Sequence, residues 1–134
     1  MDTTVVDITT GTEPIHDLTA EAAAFVRGRG DGLLHAFAPH ATVGLALIET
    51  GAGSDADLVD LLEQHLLPRD DRYRHAHGSA GHGADHVLPA LVSPSISIPV
   101  VDGRMALGTW QSLVLVDTNR DNPRRQVRLS FLSG

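Results

Sequence analysis

Four histidines lie close together in the stretch YRHAHGSAGHGADHV, at positions 75, 77, 82 and 86. Residues two apart in an extended segment face the same way, and residues four apart share one face of a helix. His75 and His77, or His82 and His86, could therefore each present two imidazoles together. Three neutral imidazoles with one open position would hold zinc, nickel, copper or iron and let the metal activate water. The alternative is a solvated, glycine-rich loop whose histidines bond to backbone and water.

A second group of polar residues surrounds the segment PHAT. His40 lies between two apolar runs and is followed by Thr42. A histidine at a strand end can act as a ligand, a general base or a donor to phosphate, although a structural role is the alternative. Glu49 ends the next apolar run, where a carboxylate needs an arginine, a metal or backbone donors, unless it is simply exposed.

Two further motifs could bind a ligand. In GTWQ, we expect a strand that points Thr109 and Gln111 to one face and Trp110 to the other, so that the indole could stack on a heterocycle. A buried structural tryptophan is the alternative. Arg124 and Arg125 could grip an anion by bidentate hydrogen bonds, or pair with the many aspartates instead.

Composition limits the function classes. The chain has 134 residues, which fits one domain over 1–134, and 10 arginines and no lysine against 17 acidic residues give a net charge of −7. Acidity argues against nucleic-acid binding, and the lack of cysteine excludes thiolate metal sites. No apolar run approaches the roughly 20 residues that a bilayer requires, and the N-terminal residues lack the pattern of a secretory signal, which predicts a cytoplasmic protein that does not enter membranes.

Hydrophobic periodicity predicts the elements that must position these residues. We expect strands over 4–9, 32–39, 44–50, 95–100, 105–117 and 125–132, with a tight hairpin turn at Asp102-Gly103. Helices are expected over 19–28, from a cap at Ser54 to Pro68, and in a short piece over 84–92, while 68–83 forms an irregular loop. The predicted fold class is α+β, with a mixed, mainly antiparallel sheet packed against two main helices.

Taken together, several motifs resemble the YjbQ family, which is also known as the secondary thiamine-phosphate synthase enzyme family. The resemblance covers about residues 5–132 and depends most on LGTWQ and on the ordered histidines. The motifs that carry it are PHAT (39–42), Glu49, YRH (73–75), DHV (85–87), SIPV-x-x-GR (97–104), LGTWQ (107–111) and Pro-Arg-Arg (123–125).

The resemblance implies a homotrimer with a site near the subunit interfaces. The family's histidines fall on His40, His75 and His86, which are the implied metal ligands, whereas His77 and His82 lie outside that pattern. The implied catalytic residues are His40, Glu49 and Gln111. The implied substrate-binding residues are Thr42, Trp110 and Arg125.

The chain also departs from the family pattern. After the strand, a segment commonly rich in Asn and Asp reads Ile48-Glu49-Thr50-Gly51-Ala52, and an acidic dipeptide is replaced by Gly78-Ser79. Both changes remove carboxylate oxygens. We therefore expect a divalent ion that prefers nitrogen, such as zinc, rather than magnesium.

Three functions fit these residues. The resemblance implies a transferase that joins a hydroxymethylpyrimidine diphosphate to a thiazole phosphate. A metal-dependent hydrolase would need a base such as Glu49 beside a histidine-bound water. A trimeric protein that binds a metal or a small anionic or phosphorylated ligand would show no turnover.

Overall fold

Two antiparallel sheets form the framework of the computed structural model, which describes residues 1–134. The strands are β1 (Asp2–Thr9), β2 (Ile15–Asp17), β3 (Gly32–Phe37), β4 (Gly44–Ile48), β5 (Ser95–Val101), β6 (Arg104–Met105), β7 (Ser112–Val116) and β8 (Arg124–Ser133). The helices are α1 (Thr19–Val26), α2 (Ser54–Asp60) and α3 (His82–Leu91), and α2 continues as a π-helical segment over Leu61–Leu66.

The larger sheet has the order β1-β8-β3-β5-β6 and the smaller one β2-β7-β4. All six strand pairings are antiparallel, so the expected α+β class is confirmed, while the expected mixed sheet is not. Three helices accompany the sheets instead of two main ones, because the piece expected to be short extends over ten residues as α3.

The core is divided by strand β7. Its residues alternate between two apolar clusters, with Leu113 and Leu115 in the larger cluster and Val114 and Val116 in the smaller. A strand covered on both faces needs a continuous apolar run, and SLVLV provides one. The smaller cluster lies between β7 and the helices, and Leu88 of α3 is fully buried in it.

The predicted hairpin is correct at its turn and wrong at its second strand. Asp102 and Gly103 have φ of 51° and 71°, as a tight turn requires. However, only Arg104–Met105 pairs with β5, and Ser112–Val116 crosses to the smaller sheet. The motif GTWQ therefore lies in the connection between β6 and β7, not in a strand with alternating faces.

The second helix also differs in detail from its prediction. It ends before Pro68 as expected, but Gly53 occupies the N-cap position and Ser54 is already helical. Among the leucines of this helical stretch, Leu62 is buried whereas Leu61 and Leu66 are about half exposed. No helix is long and apolar enough to cross a bilayer, and the cytoplasmic location stays a prediction.

Candidate metal centre

Three imidazoles converge where the irregular loop meets α3. His75 comes from the loop, while His82 and His86 lie one turn apart at the start of the helix. One nitrogen from each ring lies within 4.8 Å of the other two, and the Nε2 atoms of His82 and His86 are 3.0 Å apart. Nitrogen ligands of tetrahedral zinc are about 3.3 Å apart, given zinc–nitrogen bonds of about 2.0–2.1 Å. The cluster therefore has the dimensions of a metal centre.

Two nitrogens of this cluster, Nε2 of His75 and Nδ1 of His82, have no hydrogen-bond partner, whereas the Nε2 atoms of His82 and His86 lie within hydrogen-bond distance of each other. Nε2 of His75 is buried and makes no hydrogen bond. A buried polar atom without a partner destabilises the fold by roughly 1–3 kcal/mol. A metal ion bound between the rings would give this nitrogen a partner, so the donor set fits a divalent ion that prefers nitrogen.

A carboxylate stands behind the cluster. Oδ2 of Asp121 lies 2.8 Å from Nδ1 of His82, although that contact lacks the geometry of a hydrogen bond. The same oxygen accepts the backbone N–H of Ser79 at 3.1 Å, and hydrogen bonding from Ser79 lowers the pKa of Asp121. An ionised carboxylate beside Nδ1 favours the tautomer that leaves Nε2 free to bind a metal.

Helix α3 is anchored beneath the cluster by a buried ion pair. Asp85 is fully buried, accepts the hydroxyl of Thr118 at 2.7 Å and forms a salt bridge with Arg69. Burial opposes the charge of Arg69, but the hydrogen bond to Asp85 raises the pKa of its guanidinium above the usual value. Because Asp85 precedes His86, this anchor fixes the helix turn that carries the ligands.

Two glycines let the loop approach the helix. A Cβ on Gly83 would lie 2.5 Å from Cβ of Tyr73 and 2.7 Å from the carbonyl oxygen of His75. A Cβ on Gly78 would lie 2.8 Å from both Asp121 Oδ2 and His82 Cγ. The glycine-rich composition of the loop thus serves close packing around the imidazoles.

His77 lies at the edge of the cluster. Its ring centroid is 4.1 Å from that of His75 and 5.5 Å from that of His82, and its side chain is exposed. His77 lines a cavity of about 420 Å³ together with His75 and His82 of the cluster, and the lining residues all lie between Asp70 and Gly83. A centre with three histidine ligands would therefore face solvent through this cavity.

The surroundings of the cluster favour the neutral form of two imidazoles, those of His75 and His86. Burial lowers the pKa of His75 below 6.5, and the neighbouring His77 and His82 lower it further. Burial and the other three imidazoles also lower the pKa of His86, against a smaller opposing effect of Asp85. Neutral imidazole is the form that binds metals.

The structure places His40 outside this cluster. Its Nε2 accepts the backbone N–H of Gln126 at 2.9 Å. Burial and the nearby charge of Arg125 lower the pKa of His40. A neutral ring that accepts at Nε2 holds its proton on Nδ1, so this conformation leaves no free lone pair for a metal. Within one chain, the third imidazole beside His75 and His86 is that of His82 and not that of His40.

Arg125 and Thr42 belong to a buried network. Nε of Arg125 donates to Asp117 at 2.7 Å and Nη2 donates to Thr42 Oγ1 at 2.8 Å, and Arg125 is 3% exposed. Asn119 also donates to Thr42, at 3.1 Å. Arg125 therefore pairs with an aspartate, as the alternative interpretation of the sequence proposed. Its guanidinium connects β8 to the end of β7.

The remaining sequence candidates are not gathered around the cluster. Trp110 is 72% exposed in a turn, and Gln111 closes that turn by accepting the N–H of Gly108 at 2.8 Å. Glu49 follows β4, is half-buried and makes no side-chain hydrogen bond or salt bridge. These three residues share no cavity with the imidazoles.

Sequence reasoning based on the family pattern missed two residues of the centre. The i, i+4 spacing of His82 and His86 was the local signal for the first, because such residues lie on one helix face. Asp121 gave no local signal, since it lies 39 residues beyond His82 and only the fold brings them together.

Known proteins are similar to this chain over almost its entire length. A family model described as "UPF0047 protein YjbQ-like" matches residues 4–134. A UPF0047 protein of Mycobacterium tuberculosis is 64% identical over 134 residues and covers 100% of both chains. A UPF0047 protein of Archaeoglobus fulgidus is 31% identical over 113 residues, which are 84% of this chain and 87% of that one.

Solved structures give the same fold. A hypothetical protein from Aeropyrum pernix superposes with a TM-score of 0.88 at 28% identity and covers 100% of both chains. A protein of unknown function from Sulfolobus solfataricus, titled YbjQ-like, has a TM-score of 0.86 at 18% identity over 99% of both chains, which shows the fold alone.

Proposed function

This chain belongs to the YjbQ/UPF0047 family, and on that premise we propose that it is a metal-binding protein whose centre is formed by three histidines. The ligands are His75, His82 and His86, with Asp121 orienting the second. The observation that carries the proposal is the buried, unpartnered Nε2 of His75 beside two imidazole nitrogens 3.0 Å apart. Zinc or another ion that prefers nitrogen suits this donor set, which offers no oxygen ligand.

Three protein ligands leave one position of a tetrahedral ion for an exchangeable molecule. That position would be served by the cavity of about 420 Å³ beside the cluster. A metal held in this way supplies Lewis acidity and lowers the pKa of bound water to about 7. The chain itself contributes three imidazoles, two of them on the helix held by the Asp85 anchor, and a carboxylate behind His82.

Metal content tests the proposal directly. We expect elemental analysis of the purified protein to give one equivalent of divalent metal per chain. His82→Ala and His86→Ala should lose it, because each removes one of three ligands. His65→Ala is the matched control, since His65 is exposed on the π-helical segment outside the cluster.

The same measurement on His40→Ala separates the two candidate ligand sets. Full metal content in that variant supports the set built on His82. If His40→Ala lost the metal and His82→Ala retained it, the ligands would be the family-derived set of His40, His75 and His86, and they would come from more than one subunit.

Thiamine-phosphate synthase activity rests on the family resemblance alone. Arg125, suggested for anion binding, already bonds to Asp117 and Thr42. We therefore expect no release of pyrophosphate from a hydroxymethylpyrimidine diphosphate and a thiazole phosphate. If the unmodified protein released pyrophosphate and His82→Ala did not, the protein would be a transferase and not a metal-binding protein without turnover.

We further propose the homotrimer that the resemblance implies. Its support is the outer face of the larger sheet, where Leu33, Phe37 and Leu132 are 45%, 42% and 49% exposed. Leu33 and Leu132 are direct partners in the register of β3 and β8, so they form one apolar patch. Light scattering on the eluted protein should give three times the chain mass, and Leu33→Asp should reduce it.

A further inference from the structure

Two arginines without partners line a second cavity, of about 540 Å³. It lies between α1 and the turn that joins β5 to β6. Arg27 follows the last turn of α1 and Arg104 begins β6. Both are exposed, and neither guanidinium makes a hydrogen bond or an ion pair within the chain.

Arg27 and Arg104 belong to the arginines that no carboxylate neutralises, and they are the two that border one cavity. Four other arginines, at positions 29, 69, 72 and 125, are each paired with an aspartate. Two like charges that border one cavity repel each other, and an anion between them removes that repulsion. Arginine also binds planar and tetrahedral oxyanions through paired N–H donors.

The two arginine-bearing segments are fixed relative to each other. A Cβ on Gly103 would lie 2.8 Å from the backbone nitrogen of Gly28, so the turn packs directly on the end of α1. The backbone N–H of Gly103 donates to Gly30 at 2.9 Å, and that of Asp102 donates to Asp31 at 2.8 Å. Such a site is formed before a ligand arrives, which lowers the entropy cost of binding.

The walls of the cavity indicate what else the ligand carries. Ala23, Met105 and Leu107 give it an apolar side. Thr19 Oγ1 accepts the N–H of Leu113 at 2.9 Å, so its hydroxyl hydrogen is free to donate to an anion. The carboxylate of Asp102 also borders the cavity and repels anions, so an anionic group has to lie closer to the two guanidinium groups than to this carboxylate.

We propose that this cavity binds a small phosphorylated molecule, with Arg27 and Arg104 holding the phosphoryl group and the apolar wall holding an uncharged ring or chain. A phosphoryl dianion matches two guanidinium charges, whereas a carboxylate matches one. The site is separate from the histidine centre, since the two cavities share no lining residue.

Phenyl phosphate is the probe, and calorimetry measures its binding after chelator treatment, which prevents phosphate from binding to a metal. We expect phenyl phosphate to bind more tightly than inorganic phosphate and than benzoate. Arg27→Ala and Arg104→Ala should each weaken it about tenfold or more, because each removes charge-assisted hydrogen bonds. Arg124→Ala is the control, since Arg124 is exposed, unpaired and outside the cavity.

Amide chemical shifts in the unmodified protein give a second measurement. Phenyl phosphate should shift the amides of Gly28 and Gly103, and the affinity should be unchanged in His82→Ala. Equal weakening by all three arginine variants would overturn the proposal in favour of diffuse attraction. If only His82→Ala lost phenyl phosphate binding, the anion would bind at the histidine centre. If benzoate bound more tightly than phenyl phosphate, the ligand would be a carboxylate and not a phosphate.

Discussion

The carboxylate of Asp121 is the residue most directly able to tune the histidine centre, since it lies 2.8 Å from Nδ1 of His82. Asp121→Asn keeps the size of the side chain and removes its charge. We expect the metal affinity to fall about 10- to 100-fold, as is typical when a carboxylate behind a histidine ligand is removed. Competition with a chromophoric chelator measures this change.

Asp71→Asn is the matched control for that variant. Asp71 lines the same cavity and loses the same charge, but it makes no contact with an imidazole. An equal loss of affinity in both variants would show that net charge in the cavity matters, and not the contact with His82.

The pH dependence of the centre follows from the lowered pKa values of His75 and His86. A histidine with a pKa below 6.5 in the folded state binds fewer protons there than in the unfolded chain. Its contribution to stability is complete above about pH 6.5 and declines as the pH falls toward the folded pKa. Protons also compete with the metal for the same nitrogens.

We therefore expect the metal-free protein to lose thermal stability between pH 7 and pH 5, and metal affinity to fall over the same interval. The C2 proton resonances of His75 and His86 should titrate below pH 6.5. Melting curves at several pH values provide the second measurement. Titration of both rings above pH 6.5 would contradict the neutral cluster.

At the scale of elements, Gly78 determines how closely the loop packs on α3. Gly78→Ala places a Cβ at a φ of +89°, 2.8 Å from both Asp121 Oδ2 and His82 Cγ. We expect a loss of more than about 1 kcal/mol of stability together with weaker metal binding, because strain and displacement of His82 act together. Thermal unfolding and chelator competition measure the two effects.

Gly51→Ala is the control for that variant. Gly51 has a φ of +83°, but a Cβ there meets nothing within 4 Å. The Gly51→Ala variant should lose stability through backbone strain alone and should retain full metal affinity. Equal metal affinity in the two alanine variants would mean that the Gly78 contact does not position the ligand.

The connection between β6 and β7 shows why the local hydrophobic pattern did not predict the strands correctly here. The run from Met105 to Asp117 contains enough apolar residues for one strand, yet only its ends form strands, in different sheets. Gly108 and the hydrogen bond from its N–H to Gln111 produce a turn in the middle. Periodicity identifies apolar residues but does not specify which sheet they join.

For the whole molecule, the Arg125–Asp117 pair connects the two sheets. Asp117 follows β7 of the smaller sheet, and Arg125 lies in β8 of the larger sheet. Arg125→Met leaves a buried carboxylate without its partner, which costs about 3–5 kcal/mol. Urea unfolding monitored by circular dichroism should show this loss.

Arg124→Met provides the comparison, because Arg124 is adjacent, exposed and unpaired. Its stability should change by less than about 0.5 kcal/mol. Unchanged stability in Arg125→Met, with loss of anion binding, would instead return Arg125 to the ligand-binding role that the family resemblance implies.

The amino-acid sequence is enough to predict the α+β class, most of the strands, the Asp102-Gly103 turn and the crowding of histidines after Tyr73. These follow from local patterns, since burial on one face repeats with the period of a strand or a helix and since a turn depends on a few adjacent residues. The family also followed from the sequence, because its motifs recur in a fixed order along the chain.

Which of these residues contact one another depends on the folded chain. It joined His82 to His75 and His86, brought Asp121 behind them, and placed His40 against Gln126 and Arg125 against Asp117. Contacts between residues far apart in the chain depend on the paths of loops and the pairing of strands. No local period encodes those paths, so the composition of the centre emerged only from the folded chain.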